Sequence, residues 1–185
     1  DNYVDATLGS GYVVHSGPQS VYHGERVRNL IVERNHVRGG GSTGLDAYNI
    51  TAAGFTVRNN IADVVYNFSM SIGGANSAGS PTSSDGFVYN NTFLKRDTSL
   101  NAYFTAVYIN AGGQSNIQIK NNLAYAPGST KDGNQNGASP VFIGLGVGVT
   151  TANYTASSNS SDAQVKTTNP FLVAVGHRFK VGQQP

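Results

Sequence analysis

Short alternating apolar runs that end at an asparagine recur along the chain. The first is Asn29-Leu30-Ile31-Val32-Glu33-Arg34-Asn35. It is followed by Gly54-Phe55-Thr56-Val57-Arg58-Asn59-Asn60, Asp85-Gly86-Phe87-Val88-Tyr89-Asn90-Asn91 and Asn116-Ile117-Gln118-Ile119-Lys120-Asn121-Asn122. Aligned on the final asparagine, they stand 25, 31 and 31 residues apart. A second set interleaves with them: Tyr12 to Gly17, Leu45 to Asn49, Phe68 to Gly73, Ala106 to Asn110 and Val141 to Leu145. Neither set carries an i, i+3, i+4, i+7 stripe, so both predict strands and not helices.

A repeat of this length cannot bury its own apolar face, so neighbouring repeats must cover it. One strand of each type, a bend and a return loop make one turn of a coil. Stacked coils pair each strand with its equivalent, parallel and in register, at about 4.8 Å per coil. The expected fold is all-β, a solenoid of about six coils forming one domain over residues 1–185, a rod of roughly 29 Å.

The asparagines have a physical task in such a coil. In Asn59-Asn60, Asn90-Asn91 and Asn121-Asn122 one member can take the left-handed conformation of a tight bend. The other can point inward and hydrogen-bond to its copies above and below. A buried amide is costly unless paired, and stacking pairs it. At Asn35 the preceding residue is Arg34, which predicts a break in the ladder at that coil.

The run Asn116 to Asn122 resembles the repeat of right-handed parallel β-helix proteins, the group that holds pectate and alginate lyases, mannuronan epimerases and phage tailspikes. The resemblance extends over about residues 10–160, and Asn169-Pro170-Phe171-Leu172-Val173 with Phe179-Lys180-Val181 looks like a closing coil of bacterial secreted members. It implies a right-handed parallel β-helix. It does not select an activity, because the repeat is a packing motif. The lyases of the group commonly assemble carboxylate ligands for Ca2+ or pair a lysine with an arginine, so the resemblance leaves Ca2+ open as a cofactor and implies no other.

Composition narrows the classes of function. Charged residues are only 12%, against a globular average of about 25%, and the net charge is +2. Without a Lys/Arg cluster, nucleic acid is not an expected partner. A surface filled by Gly, Asn, Ser and Thr suits neutral or sugar-like ligands. The chain has no cysteine, which excludes disulfides and thiolate chemistry and fits a bacterial or viral source. No apolar run approaches the length of a membrane span, so membrane insertion is not expected. The expected setting is secreted, on a cell surface or on a virion. The pattern begins abruptly at Asp1-Asn2-Tyr3-Val4 with no amphipathic cap, so further coils before Asp1 or another chain are expected at that end. Residues 74–85 and 126–140 read as protruding loops.

Strand alternation sorts the second set into two faces. With Val14, Ala47, Met70, Ile72, Val107, Ile109, Val141 and Ile143 facing inward, His15, Asp46, Tyr48, Ser69, Ser71, Tyr108, Asn110 and Phe142 face outward. An outward stripe of Tyr48, Tyr108 and Phe142, with His15, Asp46 and Asn110 between them, would give a sugar chain aromatic faces and hydroxyl partners. The alternative is plain packing between neighbouring side chains. His15 and Tyr48 are the candidate acid–base groups, Asp46, Tyr108, Asn110, Phe142 and His23 the candidate ligand contacts, and Arg58 the candidate for neutralising a uronate. No Asp/Glu cluster at metal spacing is present, so no metal ligand is assigned. The column Glu33, Arg58, Tyr89, Lys120 reads as a structural charge ladder. These features point to an extracellular polysaccharide-processing protein, a lyase-like enzyme first, with a non-catalytic glycan-binding or structural module such as a tailspike or adhesin segment as the alternative.

Overall fold

The computed structural model describes residues 2–6, 14–16, 27–39, 47–64, 67–74, 82–96, 98–99, 102–110, 113–133 and 139–159. Their strands form three parallel sheets of five strands each. The first sheet holds the longest strands: β3 (Val27–Glu33), β6 (Ala52–Arg58), β9 (Ser84–Tyr89), β12 (Ser115–Lys120) and β15 (Tyr154–Ser157). The second holds β1 (Asn2–Ala6), β4 (Asn35–Gly39), β7 (Ile61–Asp63), β10 (Thr92–Leu94) and β13 (Leu123–Tyr125). The third holds β2 (Val14–Ser16), β5 (Tyr48–Ile50), β8 (Phe68–Ile72), β11 (Thr105–Ile109) and β14 (Val141–Leu145). Each strand pairs with its equivalent one repeat away. This is a parallel β-helix, as the repeat predicts.

The repeat predicts two strands per coil, and the structure has three. Each asparagine-ended run turns at a left-handed residue and continues into a further strand, as Arg58 at the end of β6 leads through Asn59 and Asn60 into β7. Three of the five strands of the second sheet have only three residues, too short to show a period, which is why that sheet is not legible in the alternation.

Core residues follow from the register. Val32, Val57, Val88 and Ile119 stack as one inward column of the first sheet. Leu30, Phe55, Gly86 and Ile117 form the next. Phe55 fills the space beside Gly86, where an added Cβ would lie 2.1 Å from its ring. Across the core, Phe93 stacks between Ala62 and Ala124, large beside small. A close-packed interior accepts only such complementary volumes.

The ladder runs unbroken through Asn2, Asn35, Asn60, Asn91, Asn122 and Asn159, each Nδ2 donating to the next Oδ1 at 2.8–3.1 Å. Asn60 shows how one amide is satisfied: Nδ2 also donates to the carbonyls of Val32 and Arg58, both at 2.9 Å. The predicted break at Asn35 does not occur, because Arg34 itself takes the left-handed conformation, φ +55, that Asn59, Asn90, Asn121 and Ser158 take in the other coils.

The facing assigned to the third sheet is corrected at several positions. Register places Tyr48 beside Val14 and Met70, so it points into the core and is fully buried. The mismatch is one residue: Ala47 occupies the preceding bend, and a one-residue shift exchanges the faces. Phe142 is also a core residue, edge-on to Phe93 with centroids 6.3 Å apart. Ser69 and Ser71 are buried, as is every position of β8 and β11. Part of the segment expected to protrude instead runs as a rung beside residues 102–104: Thr130 N and Lys131 N donate to the Ala102 carbonyl, and Phe104 N donates to the Lys131 carbonyl. Asn67 Nδ2 donates to the Gly133 carbonyl at 3.0 Å, and Gly133 N donates to Thr105 Oγ1 at 3.0 Å. Lys131 lies over the Tyr103 ring, 5.8 Å from its centroid.

Candidate functional site

The residues expected to form a stripe on the third sheet do not come together there. His15 is exposed on the outer face, in one column with Asn49, Ser71 and Tyr108. Tyr48 lies on the opposite face, its hydroxyl directed at the carbonyls of Asn35 (3.4 Å) and Ile61 (3.5 Å). Burial pushes the Tyr48 hydroxyl pKa well up, so it holds its proton at any working pH and is not an acid–base partner of His15. Tyr108 does face outward, yet it is 9% exposed, its ring 4.9 Å from that of Phe68. Asn110 is half-buried and donates to the Gly73 carbonyl at 2.9 Å. Asp46 and His23 lie outside the described residues.

Among the described residues, nothing is folded over the outer face of the first sheet. Two outward columns run across its strands in register. One is Glu33, Arg58, Tyr89, Lys120 and Ser157. The other, two residues earlier, is Ile31, Thr56, Phe87, Gln118 and Thr155. Ile31 is 62% exposed and Phe87 39%, large apolar side chains held outward by the same alternation that buries Val32 and Val88 and half-buries Leu30. Exposed apolar groups rimmed by polar ones mark interaction surfaces.

Beside these columns lies a third, made of residues with left-handed backbone inside the strands: Asn29, Gly54, Asp85 and Asn116, each five positions before a left-handed corner. Asn116 Nδ2 donates to Asp85 Oδ1 at 2.8 Å. Gly54 leaves a notch, since a Cβ there would stand 3.1 Å from Asn29 Oδ1 and at a φ of +69. The notch opens a groove of about 270 Å³ bounded by Asn29, Ile31, Thr56, Asp85 and Phe87.

The electrostatics of the face centre on Arg58, the one predicted ligand contact among the described residues that lies here. Its Nε donates to Glu33 Oε2 at 2.6 Å and its Nη1 to the Tyr89 hydroxyl at 3.0 Å. The guanidinium hydrogen bond holds the Glu33 carboxyl below the usual glutamate range, and Tyr89 and Glu33 together raise the Arg58 pKa. Both are ionised at neutral pH. Among the described residues no group of three or more His, Asp or Glu side chains is placed to hold a metal ion. The arrangement suits hydrogen bonding and stacking with a polyhydroxylated ligand laid across successive strands.

Phe87, Ile31, Thr56 and Gln118 are absent from the sequence-based candidates, although the signal is present: each sits two positions before a member of the charge column, on the same face. The chain matches no family model, no curated protein and no solved structure.

Proposed function

We propose that this chain is an extracellular glycan-binding β-helix that takes an extended polysaccharide across the outer face of its first sheet. The observation that carries the reading is the pair of in-register outward columns, which sets Phe87 and Tyr89 beside Thr56, Gln118 and Arg58 with no segment among the described residues folded over them. Aromatic faces accept the C–H surfaces of sugar rings, and the amide, hydroxyl and guanidinium groups take the sugar hydroxyls. Repetition along the rod offers the same chemistry at each step, as a polymer with a repeating unit requires.

A second reading, a lyase-like enzyme, draws on one specific arrangement. On consecutive strands Arg58, Tyr89 and Lys120 place a phenol between two cations. β-Elimination from a uronate needs a base for the proton beside the carboxylate and a cation for the charge that develops there. The resemblance of the repeat to pectate and alginate lyases supports the same direction.

One set of measurements separates the two. Binding to neutral and uronate oligosaccharides is followed by calorimetry, and turnover by absorbance of the unsaturated product. Loss of binding in Phe87→Ala with no turnover in the wild type identifies the binding module. Turnover that is abolished in Tyr89→Phe identifies the enzyme. Wild-type affinity in Phe87→Ala and Tyr89→Phe, with no turnover, would remove both.

A further inference from the structure

We infer that the notch at Gly54 receives the acetamido group of an N-acetylated amino sugar. The inference rests on the glycan reading of the first sheet and names the sugar unit that this face selects.

The notch is a missing side chain in a column of polar ones. Register across the first sheet stacks Asn29, Gly54, Asp85 and Asn116, because the residues that follow them, Leu30, Phe55, Gly86 and Ile117, pair from strand to strand. All four hold a left-handed φ, between +53 and +69. The backbone does not demand glycine there, since Asn29, Asp85 and Asn116 hold the same conformation with a side chain. The space left at Gly54 therefore has the size and polarity of one asparagine side chain. An acetamido group has the same four heavy atoms, joined to its sugar through nitrogen.

The walls of the notch suit that group. Asn29 Oδ1 stands 3.1 Å from where a Gly54 Cβ would lie, and the Asn29 amide is exposed, with no hydrogen bond to another described residue. Either end of that amide serves the ligand, which carries both an N–H and a carbonyl. The inward ladder shows the geometry in the same protein, with amides of successive coils bonded at 2.8–3.1 Å. On the far side Asp85 is already engaged, accepting from Asn116 Nδ2 at 2.8 Å, which favours a neutral group over a cation.

The apolar neighbours distinguish an acetamido group from a hydroxyl. Ile31 and Phe87 flank Thr56 in the next outward column, as Asn29 and Asp85 flank Gly54. Together these residues make a cleft along β6 of about 270 Å³. A hydroxyl in the notch would leave Ile31 and Phe87 in water. The acetyl methyl lies against them, and Phe87 gives the sugar ring a stacking face.

The test uses the full chain, a β1,4-linked tetrasaccharide of N-acetylglucosamine, and the glucose tetrasaccharide of the same linkage, with binding followed by calorimetry. The wild type is expected to bind the acetamido oligomer about tenfold more tightly, the effect of one hydrogen bond and one buried methyl. Gly54→Asn fills the notch at a φ that asparagine tolerates and so preserves the fold. It is expected to bring the acetamido oligomer down to the affinity of the glucose one. Asn29→Gly, which keeps the left-handed backbone free of strain, is expected to lower the preference about fivefold. Melting curves establish that each variant is folded. Equal affinity of the wild type for the two oligomers overturns the inference, as does a preference that survives either substitution in a folded variant. If Phe87→Ala then still weakens both oligomers, the first-sheet reading stands without the notch. If the wild type binds neither of these oligomers nor a uronate one, both readings fall.

Discussion

Arg58 Nε lies 2.6 Å from Glu33 Oε2, joining β6 to β3 on the outer face of the first sheet. The same guanidinium reaches forward to Tyr89 on β9, so one side chain spans three coils. The contact is an ion pair, and its two halves respond to pH in opposite senses.

Glu33 is held below its ordinary pKa, so its contribution is complete above the pKa of the unfolded chain. That contribution is lost as pH falls through the lower folded value. Arg58 remains charged throughout. Melting temperature measured across the acid range is therefore expected to fall more steeply for the wild type than for Glu33→Gln. The two curves should converge below the folded pKa of Glu33. Curves that stay parallel from neutral pH to strong acid would show that the pair contributes nothing.

The ladder asparagines differ in what their removal leaves behind. Asn91→Ala takes the partner from the backbone N–H of Asn60 and from the Val57 carbonyl in a buried setting. Two or more orphaned groups cost on the order of 3 kcal/mol in urea unfolding. Asn2→Ala removes one exposed bond to Asn35 and is expected to cost about 1 kcal/mol or less. Equal losses at the two positions would contradict the ladder as the source of the difference.

Gly86→Ala sets a methyl against the Phe55 ring, 2.1 Å from Cζ. Overpacking of this kind costs about 1–3 kcal/mol. Phe55→Leu alone opens a cavity, but in the double variant the smaller side chain makes room for the methyl. The two changes should then be less harmful together than their sum, a coupling read from a double-mutant cycle.

Tyr48 separates packing from chemistry. Its hydroxyl contacts are long, 3.4 and 3.5 Å, so Tyr48→Phe is expected to cost about 1 kcal/mol or less. Tyr48→Ala empties a fully buried ring site and is expected to cost about 3–5 kcal/mol. Oligosaccharide affinity of Tyr48→Phe should equal that of the wild type, because the side chain faces the core and not the groove.

Arg34→Asn relieves the left-handed corner and is expected to raise stability by about 1 kcal/mol, less whatever the exposed contact to Glu33 returns. Chemical unfolding of this variant reports the strain directly, apart from any ligand. A stability below that of the wild type would mean that the contacts of Arg34 outweigh the strain at the corner.

Much of the fold is legible in the order of residues because a solenoid is nearly one-dimensional. Each coil meets chiefly its neighbours, so a repeat in the chain becomes a stack in space, and the asparagine at the end of each run marks the same corner every time. The columns through Val57 and Arg58 follow from that alignment and alternation alone. The candidate site is less legible. Alternation states that two faces exist, but one residue of offset exchanges them, as at Tyr48. Nor does it state what lies against each outward face: at the third sheet Gly133 comes to rest against Phe68 and Thr105. The sequence by itself determined the stacking, the inward asparagines and the charge column, since these are set by local periodicity repeated coil after coil. Only the tertiary structure decided that His15 and Tyr48 part to opposite faces, that Phe142 joins Phe93 in the core, and that Asn29 leans over Gly54 at the edge of a groove. Those outcomes depend on register and loop return between segments distant in the chain, where no local preference acts.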